Sequence, residues 1–178
     1  MVRDISEILF TEAMIKERVS RLGKQITRDY DAREPLLLGV LKGCFVFMAD
    51  LMRCIDLYCG VRFITAASYG AGTVTSGVVK ISEHSQLDIE GRDVVIVEDI
   101  VDSGLTLNHL RATLMELNPA SMRICALLDK RSRREVDISI DYVGFECKDV
   151  FCVGYGLDCA ERYRNLPFIG VLKPEMYI

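Results

Sequence analysis

A chain of 178 residues, half of them hydrophobic and 27% charged, has the size and composition of a single globular domain, residues 1–178, able to bury a core. Its net charge of −4 argues against a broad nucleic-acid-binding face, and no run approaches the roughly 20 apolar residues of a membrane helix. The opening Met1-Val2-Arg3-Asp4 lacks the apolar core of a signal peptide, and seven cysteines without a CxxC pair read as small reduced hydrophobes, so a cytoplasmic protein without a zinc site is expected.

Residues 11–31 carry Ile15, Val19, Leu22, Ile26 and Tyr30 at helical spacing. After Pro35, the continuous apolar run Leu36–Leu41 reads as a strand buried on both faces. Gly43 ends it, and Phe45–Ile55 then reads as a helix. Val61–Ala67 is a further strand candidate, followed by a small-residue loop, Ser68–Gly77, of the kind that is either disordered or functional. A strand at 94–98 and a helix at about 106–117 come next, stopped near Asn118-Pro119. Met122–Leu128, Tyr142–Phe145, Phe151–Tyr155 and Phe168–Leu172 complete the strands. Such alternation predicts an α/β fold, a mostly parallel twisted sheet flanked by helices, with ligands at the carboxyl ends of the strands. Loops 41–44, 68–77, 99–106, 129–137 and 151–164 should therefore converge, at least in part, on one cleft.

The most informative stretch is Val94–Leu107, VVIVEDIVDSGLTL. Glu98 and Asp99 follow a buried apolar run, where carboxylates can accept hydrogen bonds from vicinal hydroxyls or approach a metal. Asp102-Ser103-Gly104 is a tight turn, and Leu105-Thr106 opens a helix whose free N–H groups favour an anion. Each piece alone is ordinary strand-end or turn chemistry. The ordered combination resembles the ribose-phosphate fingerprint of the type I phosphoribosyltransferases, with Ser103 where threonine is frequent.

The resemblance extends over roughly residues 36–174 and is closest to the hypoxanthine-guanine phosphoribosyltransferase family. It implies the type I fold, with a small hood formed by N- and C-terminal segments. Leu41-Lys42-Gly43-Cys44 is similar to that family's pyrophosphate loop, often built on a cis peptide, although Cys44 replaces its second glycine. Lys42, Gly43 and Arg164 would then bind pyrophosphate. Glu98, Asp99, Asp102, Ser103, Gly104, Leu105 and Thr106 would hold ribose and the 5′-phosphate, with Glu98, Asp99 and Asp158 near a Mg²⁺ ion. Lys130, Phe151 and Cys152 would form the purine site, Cys152 through its backbone. Ser68-Tyr69 would begin a mobile active-site loop.

Lysine offers donors alone, so Lys130 suits a 6-oxo group and disfavours the adenine amino group. Apart from the resemblance, the basic run Lys130–Arg134 is an ordinary solvated patch, and Phe151 an ordinary core residue. Asp102 is the candidate general base toward the purine imidazole ring. The implied activity is transfer of the phosphoribosyl group of 5-phosphoribosyl 1-diphosphate to hypoxanthine or guanine, a purine salvage reaction giving IMP or GMP, by a homodimer or homotetramer without nucleic-acid or membrane partners. Rival readings are a non-catalytic regulator of this fold that senses phosphoribosyl diphosphate, and a phosphoribosyltransferase for xanthine, adenine or a pyrimidine.

Overall fold

The computed structural model describes residues 1–68, 79–81 and 87–177. Its elements in chain order are β1 (Ile5–Phe10), α1 (Glu12–Asp29), β2 (Leu36–Leu41), α2 (Phe45–Met52), β3 (Gly60–Ser68), β4 (Val79–Ile81), β5 (Asp93–Val101), α3 (Leu105–Met115), β6 (Ser121–Asp129), β7 (Tyr142–Glu146), β8 (Cys152–Val153) and β9 (Ile169–Leu172). A six-stranded sheet has the order β4-β3-β2-β5-β6-β7, parallel except for the antiparallel edge strand β4. A second, antiparallel sheet, β1-β9-β8, joins the two ends of the chain and forms the expected hood.

The unbroken apolar runs of β2, β5 and β6 arise because each central strand is covered on both faces. Side-chain alternation sends Leu37, Val95, Val97, Cys125 and Leu127 toward α1 and α2. Leu36, Leu38, Val94, Ile96 and Ile124 go to the α3 side. Thr11 caps α1, its Oγ1 accepting the Met14 N–H at 3.3 Å. The stripe Ile15, Val19, Leu22, Ile26 and Tyr30 is buried. Truncating one of its aliphatic members to alanine costs on the order of 2–5 kcal/mol. Arg18 fastens α1 to β7 by donating to the Gly144 and Val143 carbonyls at 2.6 and 2.5 Å.

Several boundaries differ from the sequence reading. β1 carries no period-two pattern because register shifts fall between Ile5 and Glu7 and between Ile8 and Phe10. α2 ends at Met52, since Cys54 and Ile55 donate to Leu51 and Met52 and tighten the chain into three-residue turns. Only Cys152 and Val153 of the 151–155 stretch are strand. Gly154, Tyr155 and Gly156 follow in left-handed backbone (φ +101°, +51° and +102°), which turns the chain out of the sheet.

Candidate active site

The carboxyl ends of β2, β5 and β6 supply the site. β5 stays paired with β6 as far as Val101 opposite Asp129, so Glu98 and Asp99 lie within the strand's last four residues rather than beyond it. Glu98 is buried and its carboxyl is pushed well above the usual range, first by burial and then by the charge of Asp99. Burial also raises Asp99, to about 6. The Ile100 N–H, donated to Asp99 Oδ1 at 2.8 Å, and the Arg164 cation oppose that shift, while Asp158 adds to it. Two adjacent carboxyls in this setting resist being ionised together. Buried Cys44, facing both acids, has its thiol pushed up to about 12 by desolvation and their charges, so it is a neutral packing group.

Beside the acids lies a polar corner that receives the Lys42 loop. The Leu41–Lys42 peptide is cis. Gly43 fits against Asp99 so closely that an added Cβ would stand 2.5 Å from Asp99 Cγ. A Cβ on Gly156 would overlap the Gly43 carbonyl oxygen. Lys42 Nζ pairs with Glu161 Oε1 at 3.0 Å. Arg164 donates through Nη1 to the Gly156 carbonyl at 2.7 Å and through Nη2 to Asp158 Oδ1 at 3.0 Å. Its Nε is buried with no partner among the described residues.

Past the acids the chain turns through Asp102, Ser103 and Gly104 into α3. Gly104 takes φ +83°, a left-handed conformation that a side chain disfavours. The first helical bond runs from the Asn108 N–H to the Gly104 carbonyl, leaving the amides of Leu105, Thr106 and Leu107 outside the helical ladder. The Leu105 N–H reaches Ser103 Oγ at 3.4 Å. This is a compact set of amides and hydroxyls at the positive end of a helix, which suits a phosphate.

A third corner is built on β6. Lys130 is buried, with Nζ 3.7 Å from Asp102 Oδ2 and 4.0 Å from Asp149 Oδ1. Arg133 Nε lies 3.0 Å from Asp102 Oδ1, and its Nη1 3.5 Å from Asp149 Oδ2. Arg134 pairs with buried Asp129 and donates to the Asp102 carbonyl at 2.9 Å, fixing the turn. Phe151 is 38% exposed and stacks on Tyr177, with ring centroids 4.5 Å apart. Cys152 is buried beside it.

The structure thus brings Lys42, Gly43, Asp99, Asp158 and Arg164 together, and Asp102 with Lys130. Ser68 ends β3, whereas Tyr69 lies outside the described residues. Arg133, Asp149, Glu161 and Tyr177 belong to the constellation and were not singled out from sequence. The signal nearest to them was the basic run containing Arg133; no spacing rule joins it to Asp102, 31 residues away. A separate cavity lined by α1, α2 and residues 164–167 touches Tyr155 and Arg164 but contains none of the strand-end acids, so it is not this site.

A parallel sheet with acids, a glycine turn and a helix N-terminus at its carboxyl edge fits the phosphoribosyltransferases, and the phosphoribosyl transferase domain family matches residues 6–160. The hypoxanthine-guanine phosphoribosyltransferase of Bacillus subtilis is 51% identical over 177 residues, covering 99% of this chain and 98% of that protein. The enzyme of the same name from Dictyostelium discoideum is 51% identical over 175 residues, 96% of this chain and 97% of its own. A crystal structure of a Staphylococcus aureus hypoxanthine phosphoribosyltransferase superposes with a TM-score of 0.96 at 43% identity, covering 100% of this chain and 97% of that one. The chain belongs to the hypoxanthine-guanine phosphoribosyltransferase family.

Proposed function

We propose that the protein transfers the 5-phosphoribosyl group of 5-phosphoribosyl 1-diphosphate to hypoxanthine and guanine, releasing pyrophosphate and forming IMP or GMP. The observation that carries this reading is Lys130, a buried, donor-only cation 3.7 Å from Asp102. It presents a hydrogen-bond donor to a 6-oxo group in the same corner as a carboxylate able to accept the proton from the purine imidazole ring.

The remaining residues position substrate and balance charge. Arg164, with its unpartnered buried Nε, and the Lys42–Gly43 backbone face the pyrophosphate. The amides and hydroxyls of 103–106 take the 5′-phosphate. Glu98 and Asp99 accept hydrogen bonds from the ribose hydroxyls and lie close to the positive charge that builds at the anomeric carbon as pyrophosphate leaves. Asp102 receives the proton when the purine nitrogen bonds to that carbon. Phe151, backed by Tyr177, offers its ring to the base.

Among the described residues no three acidic, histidine or cysteine side chains cluster as a ready-made metal cage. Asp99 and Asp158 nonetheless oppose each other's charge, and two carboxylates with substrate oxygens and waters suit Mg²⁺. Asp99 and Asp158 would hold that ion, which when bound neutralises the leaving pyrophosphate; Glu98 does not complete a three-acid cage with them. No helix among the described residues is long and apolar enough to cross a membrane. The working form proposed is a cytoplasmic homodimer or homotetramer in which residues 1–178 act as one domain.

Incubation with 5-phosphoribosyl 1-diphosphate, Mg²⁺ and each of hypoxanthine, guanine, xanthine and adenine tests the reading. Nucleotide and pyrophosphate should appear with hypoxanthine and guanine and not with adenine. Absence of product with every 6-oxopurine overturns it.

A further inference from the structure

Cys147, directly after β7, and Cys152, the first residue of β8, place their Sγ atoms 3.4 Å apart. A disulfide requires about 2.05 Å, so the sulfurs must close by a little more than 1 Å. Both are free thiols, and each keeps a small exposure, 8% and 7%. Among the described residues no other pair of cysteine sulfurs lies in contact. We propose that Cys147 and Cys152 form a reversible thiol–disulfide site, oxidised by a hydroperoxide, that cinches the 147–152 segment and weakens recognition of the purine. The second half rests on the purine role proposed above for Lys130 and Phe151.

The surroundings favour the reaction. Cys147 deprotonates more readily than an ordinary thiol, because its thiolate accepts a hydrogen bond from Cys152 and feels the Lys130 cation. The Cys147 thiolate attacks one peroxide oxygen; an S–O bond forms, the O–O bond breaks, and the departing hydroxide is protonated to water. Cys152 sulfur then attacks the Cys147 sulfenic sulfur. The S–S bond forms as the S–O bond breaks, and hydroxide leaves with the Cys152 proton as a second water. Two thiols have lost two electrons and the peroxide has gained them. A dithiol reductant restores the pair.

The backbone is held at both ends. The Cys147 N–H is bonded to the Asp129 carbonyl at 2.9 Å, and Cys152 is paired with Val171 in the hood sheet. Whatever part of the closure χ1 rotation does not supply falls on residues 148–151, which include Asp149, 4.0 Å from Lys130, and the Phe151 ring. A displacement near 1 Å in a binding corner lowers its performance by about tenfold or more.

The test treats the reduced full-length protein with hydrogen peroxide, blocks remaining thiols and maps peptides by mass. The peptide spanning Cys147 and Cys152 should lose two hydrogens. KM for hypoxanthine should rise about tenfold, with little change in KM for 5-phosphoribosyl 1-diphosphate, and dithiothreitol should reverse both changes. In Cys147→Ser, peroxide should produce neither the cross-link nor the KM change. A wild-type peptide without the cross-link overturns the proposal, as does a cross-linked protein with an unaltered hypoxanthine KM. Reduced protein that fails to use hypoxanthine refutes the proposed function instead, and the peptide mass still decides whether the cross-link forms.

Discussion

Gly43→Ala places one methyl group against the Asp99 carboxylate. The added Cβ would stand 2.5 Å from Asp99 Cγ, whereas carbon atoms settle at about 3.5–4.0 Å, so the carboxylate must retreat by about 1 Å. That retreat loosens the 2.8 Å bond from the Ile100 N–H, an interaction worth about 1.5–3 kcal/mol when intact. Losing about 1 kcal/mol of it would lower Tm by about 2–4 °C in a chain of this size. The effect on turnover should be far larger: misplacing a group in the reacting site by about 1 Å costs about 100-fold in kcat/KM. Pyrophosphate release with hypoxanthine, measured alongside thermal melts of the same samples, reads both quantities. Gly91→Ala is the control; Gly91 has φ +66° with open space around it, so it pays a backbone cost of about 1–2 kcal/mol and leaves kcat/KM alone. A Gly43→Ala protein whose kcat/KM matches the parent would refute the contact as a functional constraint.

Three further outcomes are expected. Asp102→Asn should lower kcat by about 10²–10⁴ while KM for 5-phosphoribosyl 1-diphosphate stays nearly constant; comparable losses in both would make Asp102 a turn residue without a base role. Lys130→Gln, which adds an acceptor beside a donor, should narrow the preference for hypoxanthine over adenine in competition assays, and an unchanged ratio discards the 6-oxo contact. The Asp99 carboxyl, raised from 3.8 to about 6, adds no penalty to folding below about pH 4, where both folded and unfolded forms hold the proton. Its contribution to stability is lost as pH climbs through about 6, by on the order of 3 kcal/mol. The unfolding free energy of the parent minus that of Asp99→Asn should accordingly fall between pH 4 and pH 7, and a flat difference contradicts the burial of that charge.

The central strands were legible because their environment leaves a direct mark: a residue covered on either face must be apolar, so Leu36–Leu41 and Val94–Val97 read as strands unaided. The α1 stripe was legible for the same reason at a different period. β1 was not, because two register shifts scramble its alternation, and β8 was overextended because three left-handed residues leave no periodic trace. Within the site, the contiguous run 98–106 announces itself, since strand, turn and helix bring neighbours in sequence to one place. Contacts across the chain do not. Nothing in the local pattern joins Lys42 to Glu161 or Arg133 to Asp102, which meet through the order of the strands.

Under the purine role proposed for Phe151, the stack of Tyr177 on its ring gives residue 177 a part in nucleobase recognition. Replacing Tyr177 by alanine removes that aromatic support, and on the proposed reading it weakens the apparent affinity for hypoxanthine while leaving the sheet intact.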